Sequence, residues 1–498
     1  MNEHPLPYRP EELAFAILSH AHIDHSGRIP KLVKDGFRGS IYCTQATSDL
    51  AELMLEDSAG IQESDAEWEN KHRQRRGQPL IEPLYDKEDV TDTIKLLRPQ
   101  AYGQIIQITP HIRLRFRDAG HILGSAIVEL WIEEGGKTSK LVFSGDLGMR
   151  DHLLIRDPEY VEDADYLLLE STYGNSVHDN YQNSLKQLMH VIEDITGKGG
   201  TVVIPSFAVG RTQELIYEMN KYYEYEHPGE KYPVPIYIDS PLAVRATRVF
   251  MKNTEIMDDE AQRLIRGGDN VFEFANLHYT KTVEESMRLN KDRTPKVIIS
   301  ASGMATAGRV RHHLKHTLWN PKNAVIFVGY QGEGTLGRII QDGAKKVKIL
   351  GEWVACKAKV YDMGGFSAHA DQPSLLDWLG GFKKLPHKIF LVHGEDREML
   401  PFARTINERF GIEAETPREG SAAILESGKA ETLDFIPTEL EEKKTLEEDF
   451  YAIQSLMSEW EDKEVALENL SPENLAALQN TLNKLRMGLM DLNLLTGR

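Results

Sequence analysis

Short, strongly apolar runs alternating with stretches of helical periodicity set the rhythm of the chain up to about residue 430. Ala14–Ser19, Leu141–Ser144, Tyr166–Leu169, Thr201–Pro205, Ile236–Ile238, Lys296–Ser300, Ala324–Gly329 and Lys388–Val392 read as buried strands, several followed by helices such as Arg211–Tyr225. This alternation predicts an α/β fold. Residues 55–100 depart from it: they are polar, with Arg73, Arg75 and Arg76 close together, and predict a helical excursion and loop over the surface. Near the C-terminus, Ser471 caps a helix, Pro472 suits its first position, and Leu475, Leu478, Leu482, Leu485, Leu489 and Leu492 recur at spacings of 3 and 4. Phe450, Ile453, Met457 and Trp460 mark a preceding amphipathic helix. That leucine seam serves equally a helical hairpin on the same chain or a homodimer contact.

Composition narrows the class. At 498 residues the chain is too long for one ordinary core, so at least two domains are expected. An apolar share of 41% with 27% charged residues is that of a globular protein. No apolar run is long enough to span a membrane, and the start, MNEHPLPYRPEEL, lacks a basic-then-apolar leader pattern, so a cytoplasmic protein is expected. Only Cys43 and Cys356 are present, so a metal would have to be held by histidine and carboxylate. With 58 Lys+Arg against 77 Asp+Glu the net charge is −19, and residues 436–498 alone carry 13 acidic and 6 basic groups. Diffuse electrostatic attraction to nucleic acid is disfavoured, and a polyanion would need a local patch or metal ions.

The strongest chemical signal is His20-Ala-His22-Ile-Asp24-His25, directly after the strand AFAILS. Three imidazoles and a carboxylate within six residues, on a loop leaving a buried strand, can aim several ligand atoms into one cavity. Further donors follow beside strands and glycines: His121 in DAGHILGS, Asp146 in SGDLG and His393 in LVHGE. Singly each is weak, and an Asp in SGDLG is more often a turn residue. A G-x-G-x-x-G run, Gly332 to Gly337, with Glu352 beyond it, mimics a dinucleotide fingerprint. The helix it would open is short before Asp342-Gly343, so NAD binding is not expected.

HAHIDH, DAGHILGS and SGDLG in this order closely resemble the metallo-β-lactamase superfamily. Glu170 in ESTYG, His369 in GFSAHAD, and His393 point within it to the β-CASP nucleases. The resemblance runs from the strand before His20 to about residue 430. It implies a four-layer αββα metallo-β-lactamase fold, with residues 1–176 and 358–435 as its two parts, a β-CASP α/β domain inserted at 177–357, and an acidic helical tail over 436–498. It further implies two Zn2+ ions, the first on His20, His22 and His121, the second on Asp24, His25 and His393, with Asp146 bridging. A hydroxide shared by the ions would attack a phosphodiester in line, His369 would protonate the departing 3′ oxygen, and Glu170 would hold the other ring nitrogen of His369. Products would carry 5′-phosphate and 3′-hydroxyl ends. Histidine at position 393 is the family's tendency in members acting on RNA, so single-stranded RNA is the expected substrate. In the insert, Ser206, Phe207 and Arg211 of PSFAVGR and Ser300, Ser302 and Gly303 of SASGM are the expected contacts to phosphates and bases. Only 19 residues precede His20, fewer strands than relatives place there, so a sheet edge exposed by the loss of its usual neighbours is expected. Two other readings use the same residues: a lactamase- or thioesterase-like hydrolase, against which His369, Glu170 and the insert argue, and an RNA-binding scaffold without catalysis.

Overall fold

The structure, a computed structural model, describes residues 6, 8–151, 153–226, 234–418, 421–426 and 429–433. The acidic tail and its leucine seam lie outside the described residues. Up to Thr432 the chain forms one unit. Among the described residues no helix is long and apolar enough to cross a membrane.

Two sheets stack face to face. The first has three parallel strands, Phe15–Ile17, Ser40–Thr44 and Leu97–Gln100, with Phe15–Ile17 at its edge. The second has seven, in the order Ala414–Glu415, Lys388–Val392, Tyr166–Glu170, Lys137–Phe143, Ala126–Glu134, Ile112–Asp118 and Ile106–Thr109. Its first four strands run parallel and the rest form an antiparallel meander. Alternation along Ile112–Asp118 turns Leu114 and Phe116 inward, where they pack with Ala126 and Val128 against Ile17 and Tyr42 of the first sheet. Helices cover both outer faces. Ile29–Lys34 and Gln45–Arg76 lie on the three-stranded sheet, while Gln372–Gly380 and Asp396–Phe410 bury Leu375, Leu379, Phe402 and Ile406 against Leu167, Leu169 and Leu391. This is the expected αββα layering.

A third sheet follows Tyr166–Glu170 in the chain. Six parallel strands run in the order Leu277–Tyr279, Ile236–Ile238, Lys296–Ser300, Thr201–Pro205, Ala324–Phe327 and Lys359–Asp362. The central strands are buried on both faces and therefore read as uninterrupted apolar runs. The last strand carries this sheet five residues past the expected limit at 357, because Lys359–Asp362 pairs with Ala324–Phe327 residue for residue. Its polar sequence, KVYD, gives no apolar signal at an exposed edge.

The stretch expected as a surface excursion is more ordered than its polarity suggests. One helix runs from Gln45 to Arg76, capped by Thr44, and buries Leu50, Ala51, Leu55 and Ala59. Its buried face is largely alanine, too weak to stand out in the sequence. The helix Lys87–Leu96, started by a reciprocal Asp86/Asp89 capping box, leads into the third strand of the first sheet. Helix Arg211–Asn220 is shorter than expected and continues as a π-helical turn over Lys221–Glu226.

Ile299 is fully buried in the middle of the inserted sheet. Ile299→Ala is expected to cost about 2–5 kcal/mol, the range for emptying a packed aliphatic site, read as a lower urea midpoint at unchanged slope.

Candidate metal centre

Every strand that feeds the site delivers its side chain at or just beyond its C-terminal end. Past Phe15–Ile17 come Ser19 and the buried His20; His22 follows, and the short helix Ile23–Ser26 carries Asp24 and His25. Ser26 Oγ donates to the carbonyls of Ala21 and His22, both at 3.0 Å, and closes this turn. His121 follows Ile112–Asp118, Asp146 follows Lys137–Phe143, Glu170 ends its strand and His393 follows Lys388–Val392. The His121 and Asp146 loops touch backbone to backbone. Gly148 N–H donates to Ala119 O at 2.8 Å, and a Cβ on Gly148 would stand 1.7 Å from Gly120 O, so no larger residue fits there. His393 adopts a left-handed φ of 54°, strained for a non-glycine residue. Thr172 Oγ1 meets both its carbonyl (3.1 Å) and its Nδ1 (3.0 Å) and holds it there.

These loops bring all seven expected donors together around Asp146, which is 1% exposed. Its Oδ2 lies 3.4 Å from His20 Nε2, 3.2 Å from His25 Nε2 and 3.7 Å from His121 Nε2, and its Oδ1 lies 3.5 Å from His393 Nδ1. His22 Nδ1 is 3.1 Å from His121 Nε2, and His393 Nε2 is 3.5 Å from Asp24 Oδ2. The donor atoms of His20, His22, His121 and Asp146 form one cluster and those of Asp24, His25 and His393 another, each within 4.8 Å.

The protonation pattern suits a cation site. Burial pushes His20, His22 and His121 below the ordinary imidazole range, leaving neutral rings with a free lone pair. Burial opposes the charge of Asp146, yet the surrounding imidazoles hold its carboxyl well below the usual range. At His393 burial works against protonation, but its hydrogen bond to Asp24 and the carboxylates of Asp146 and Glu170 push it up to about 9. A cation arriving there has to displace that proton. The residues fit a metal on a direct observation: His20 Nε2, His22 Nε2 and both oxygens of Asp146 are buried with no hydrogen-bond partner. Nitrogen and oxygen donors in this mixture suit zinc.

His369 stands beside the cluster. Its Nδ1 is 3.3 Å from Glu170 Oε1 and 3.9 Å from Asp146 Oδ2. Burial lowers its proton affinity, but the Glu170 carboxylate more than offsets this and holds it above the ordinary range. Glu170 is itself anchored, accepting from Leu147 N–H at 2.7 Å and Thr172 N–H at 3.3 Å.

The expected insert contacts divide into two sets. Ser206 and Ser300 are buried and engaged: Thr212 Oγ1 donates to Ser206 Oγ at 3.0 Å, and Ser300 Oγ donates to Asp239 O at 2.8 Å. Arg211 is 4% exposed and paired with Glu214. Their backbones shape the loops instead of offering free side chains. Phe207 has its ring 6.2 Å from that of His22, and Gly303 packs directly against it, since a Cβ there would meet the Phe207 ring at 2.8 Å. Ser302 Oγ accepts from Ala307 N–H at 3.2 Å. Gly337 of the glycine run makes room for a side chain: a Cβ there would stand 1.8 Å from Gln331 Oε1. The sequence reading missed the groups that orient the rings of the cluster, Ser19 Oγ on His20 Nδ1 (3.3 Å) and the Ala368 carbonyl on His121 Nδ1 (3.2 Å). It also missed His178, whose Nε2 donates to His369 O at 3.1 Å. A lone serine, a carbonyl or a histidine outside any motif gives no signal before folding.

Comparison with known proteins matches residues 212–340 to the Beta-Casp domain and residues 353–417 to the Zn-dependent metallo-hydrolase RNA specificity domain. Ribonuclease TTHA0252 of Thermus thermophilus is 38% identical over 421 residues, which cover 84% of this chain and 90% of that protein. This chain belongs to the β-CASP group of metallo-β-lactamase RNA nucleases. By that membership the β-CASP chain is a metal-dependent hydrolase. The Transcription termination factor FttA of Methanocaldococcus jannaschii is 33% identical over 417 residues, covering 82% of this chain. That of Pyrococcus horikoshii is 33% identical over 412, covering 80%. The chain spans 62% and 60% of the lengths of these archaeal relatives.

Asp118, at the end of the strand before His121, is buried, and that burial pushes its carboxyl up to about 7. Its folded form binds a proton that the unfolded chain, with an ordinary carboxyl near 4, has already lost. Folding stability is therefore expected to fall as pH rises from about 4 to about 7. Asp118→Asn keeps an acceptor for Gly120 N–H, now 3.0 Å away. The variant should match the parent's melting temperature at pH 4 and exceed it at pH 8; equal melting at both pH values would count against this assignment.

Proposed function

We propose that this chain is a two-zinc ribonuclease that hydrolyses single-stranded RNA and leaves 5′-phosphate and 3′-hydroxyl ends. The observation that carries the reading is the buried Asp146 carboxylate, its oxygens unpartnered, grouped with His20, His22 and His121 and within 3.5 Å of His25 and His393 of the second cluster. In this reading His20, His22 and His121 would hold one ion, Asp24, His25 and His393 the other, and the Asp146 carboxylate would serve both. The ion pair would supply a hydroxide nucleophile at neutral pH and neutralise charge on the phosphate oxygens.

The chain's own residues do the rest. His369 is the general acid: Glu170 holds its Nδ1 side, which leaves Nε2 to give a proton to the departing 3′ oxygen. Its raised proton affinity keeps a proton available near neutrality. Ser19 and the Ala368 carbonyl orient His20 and His121 so that their Nε2 atoms face inward. Phe207, beside His22, offers a face on which a base next to the scissile phosphate can stack. The histidine at position 393, the RNA specificity match at 353–417 and the ribonuclease relative all support RNA as the polymer. For the domains, we assign 1–176 and the segment after Asp362 to the metallo-β-lactamase part, with the inserted domain between them, since its sheet includes Lys359–Asp362.

Metal analysis of the purified protein is expected to find about two zinc ions per chain. Labelled single-stranded RNA should be cut, a chelator should abolish the cutting, and 5′- and 3′-end labels together map the product ends. A protein that binds RNA without chelator-sensitive cleavage would instead be a scaffold. His369→Ala should keep both metals while cleavage falls by about 10²-fold or more, the usual worth of a general acid; Asp146→Ala should lose metal and cleavage together. Equal metal loss in the two variants would make His369 a ligand.

A further inference from the structure

The inserted domain carries a cationic face that the candidate metal centre does not use. Residues 309–322 include four basic and no acidic residues, and residues 345–359 five basic and one acidic, in a chain whose net charge is −19. The two segments are neighbours in space. Val310, Leu314 and Leu318, from the helix Val310–Thr317 and the turn after it, share a core with Val347, Ile349 and Val354 of the hairpin Lys346–Ile349 and Glu352–Ala355. Alternation along the hairpin therefore turns Lys346, Lys348 and Trp353 outward. Lys348 stands opposite Trp353 in the register, and Lys346 Nζ lies 4.7 Å from the centre of the Trp353 ring. Lys315 reaches from the helix to Glu352 at 2.6 Å and matches the one acidic residue of the face. Lys345, Lys346, Lys348 and Lys357 are left without an ion pair among the described residues.

Two indoles interrupt this charge: Trp319 is 55% exposed and Trp353 62%. Lys357 N–H donates to Leu318 O at 2.8 Å, which brings that lysine beside Trp319. The face lies at the far end of the insert from the metal centre. Phe207 and Gly303 follow the C-terminal ends of Thr201–Pro205 and Lys296–Ser300, whereas Trp319 and Lys357 precede the first residues of Ala324–Phe327 and Lys359–Asp362 in the same parallel sheet. A five-residue strand separates the two ends by about 17 Å.

Unpaired lysines attract phosphate, and an exposed indole offers a flat face to an unpaired base. An acidic protein segment would satisfy the lysines but has no use for two indole faces, and a duplex keeps its bases stacked inside. We infer that this outer face is a second RNA-binding surface, its lysines on the phosphates of a single-stranded segment remote from the cut and Trp319 and Trp353 stacked on its bases. The inference rests on the nuclease reading only for the identity of the polymer. It adds a tether that makes long RNAs bind more tightly than short ones.

The test uses the full chain and two labelled single-stranded RNAs, one of about 30 nucleotides and one of about six that occupies the metal centre alone. Binding of the long RNA is measured in chelator across a salt series. Lys346→Gln with Lys348→Gln should make the plot of log Kd against log salt shallower by about 1.4, and Lys345→Gln with Lys357→Gln by the same amount. Trp353→Ala should weaken the long single strand about fivefold or more and a duplex of equal length much less. In cleavage with zinc present, each variant should raise KM for the long RNA, leave its kcat unchanged and leave both constants for the short RNA as in the parent. Salt slopes and affinities unchanged in the variants, or KM rising equally for the two lengths, would overturn the inference while leaving the nuclease intact; unchanged RNA binding would give the face to an acidic protein instead. A parent protein that cuts no RNA would sink the nuclease reading, and the salt slopes measured in chelator would still decide whether this face holds RNA.

Discussion

A carboxylate buried at 1% exposure with neither oxygen hydrogen-bonded is the constraint around which this protein is built. Isolated, such a charge would be too costly to keep, and it would be protonated or expelled. Asp146 stays ionised because imidazoles approach it from four separate segments of chain, His20 and His25 from one, His121, His369 and His393 from the others. Those rings are themselves kept from protonation by burial where they lie deepest. Each group is thus poorly satisfied by its neighbours alone, and together they form a cradle that suits a cation.

Holding these groups against their mutual cost falls to the sheets. The donors sit just past strand ends, where backbone direction is set by ladder hydrogen bonds and side chains project beyond the layers. Contacts between loops then remove the remaining freedom. The glycine-to-glycine approach of the His121 and Asp146 loops and the Thr172 clasp on His393 are examples. The inserted domain also contacts the long helix. Arg245 pairs with Glu56 and Lys252 with Asp49 of the long helix, so the two sets of layers share one framework. Within the insert, Asp239 is fully buried and accepts from Arg309 and His313, both at 2.6 Å, and from Thr280 and Ser286. This network fixes the loops after Ile236–Ile238 and Lys296–Ser300, and with them the wall that carries Gly303 and Phe207.

The strands Thr201–Pro205, Ile236–Ile238, Lys296–Ser300 and Lys388–Val392 were legible residue for residue, because a strand buried on both faces is an unbroken apolar run. Ser40–Thr44 and Leu97–Gln100 were not, although they build the sheet that carries His20. Their residues are mixed in polarity, and only the pairing with a neighbour makes them strands. The alternation in Ile112–Asp118 was visible in principle but sits among arginines that turn to the opposite face. Arg211 shows the reverse failure. A basic residue at a helix start after a glycine looks like a phosphate contact, yet Glu214 one turn later claims it in the interior.

Residue chemistry and order along the chain were enough to single out the side chains that the fold gathers around Asp146, since histidines and carboxylates keep their polar chemistry wherever they are placed. They were enough for the layered α/β architecture as well, because apolar periodicity follows from which faces must leave water. Only the tertiary structure decided that His20 and His393, far apart in the chain, share one carboxylate. It likewise decided that Ser206 and Ser300 turn inward. Such juxtapositions depend on strand register and loop contact between distant segments, and local sequence encodes neither.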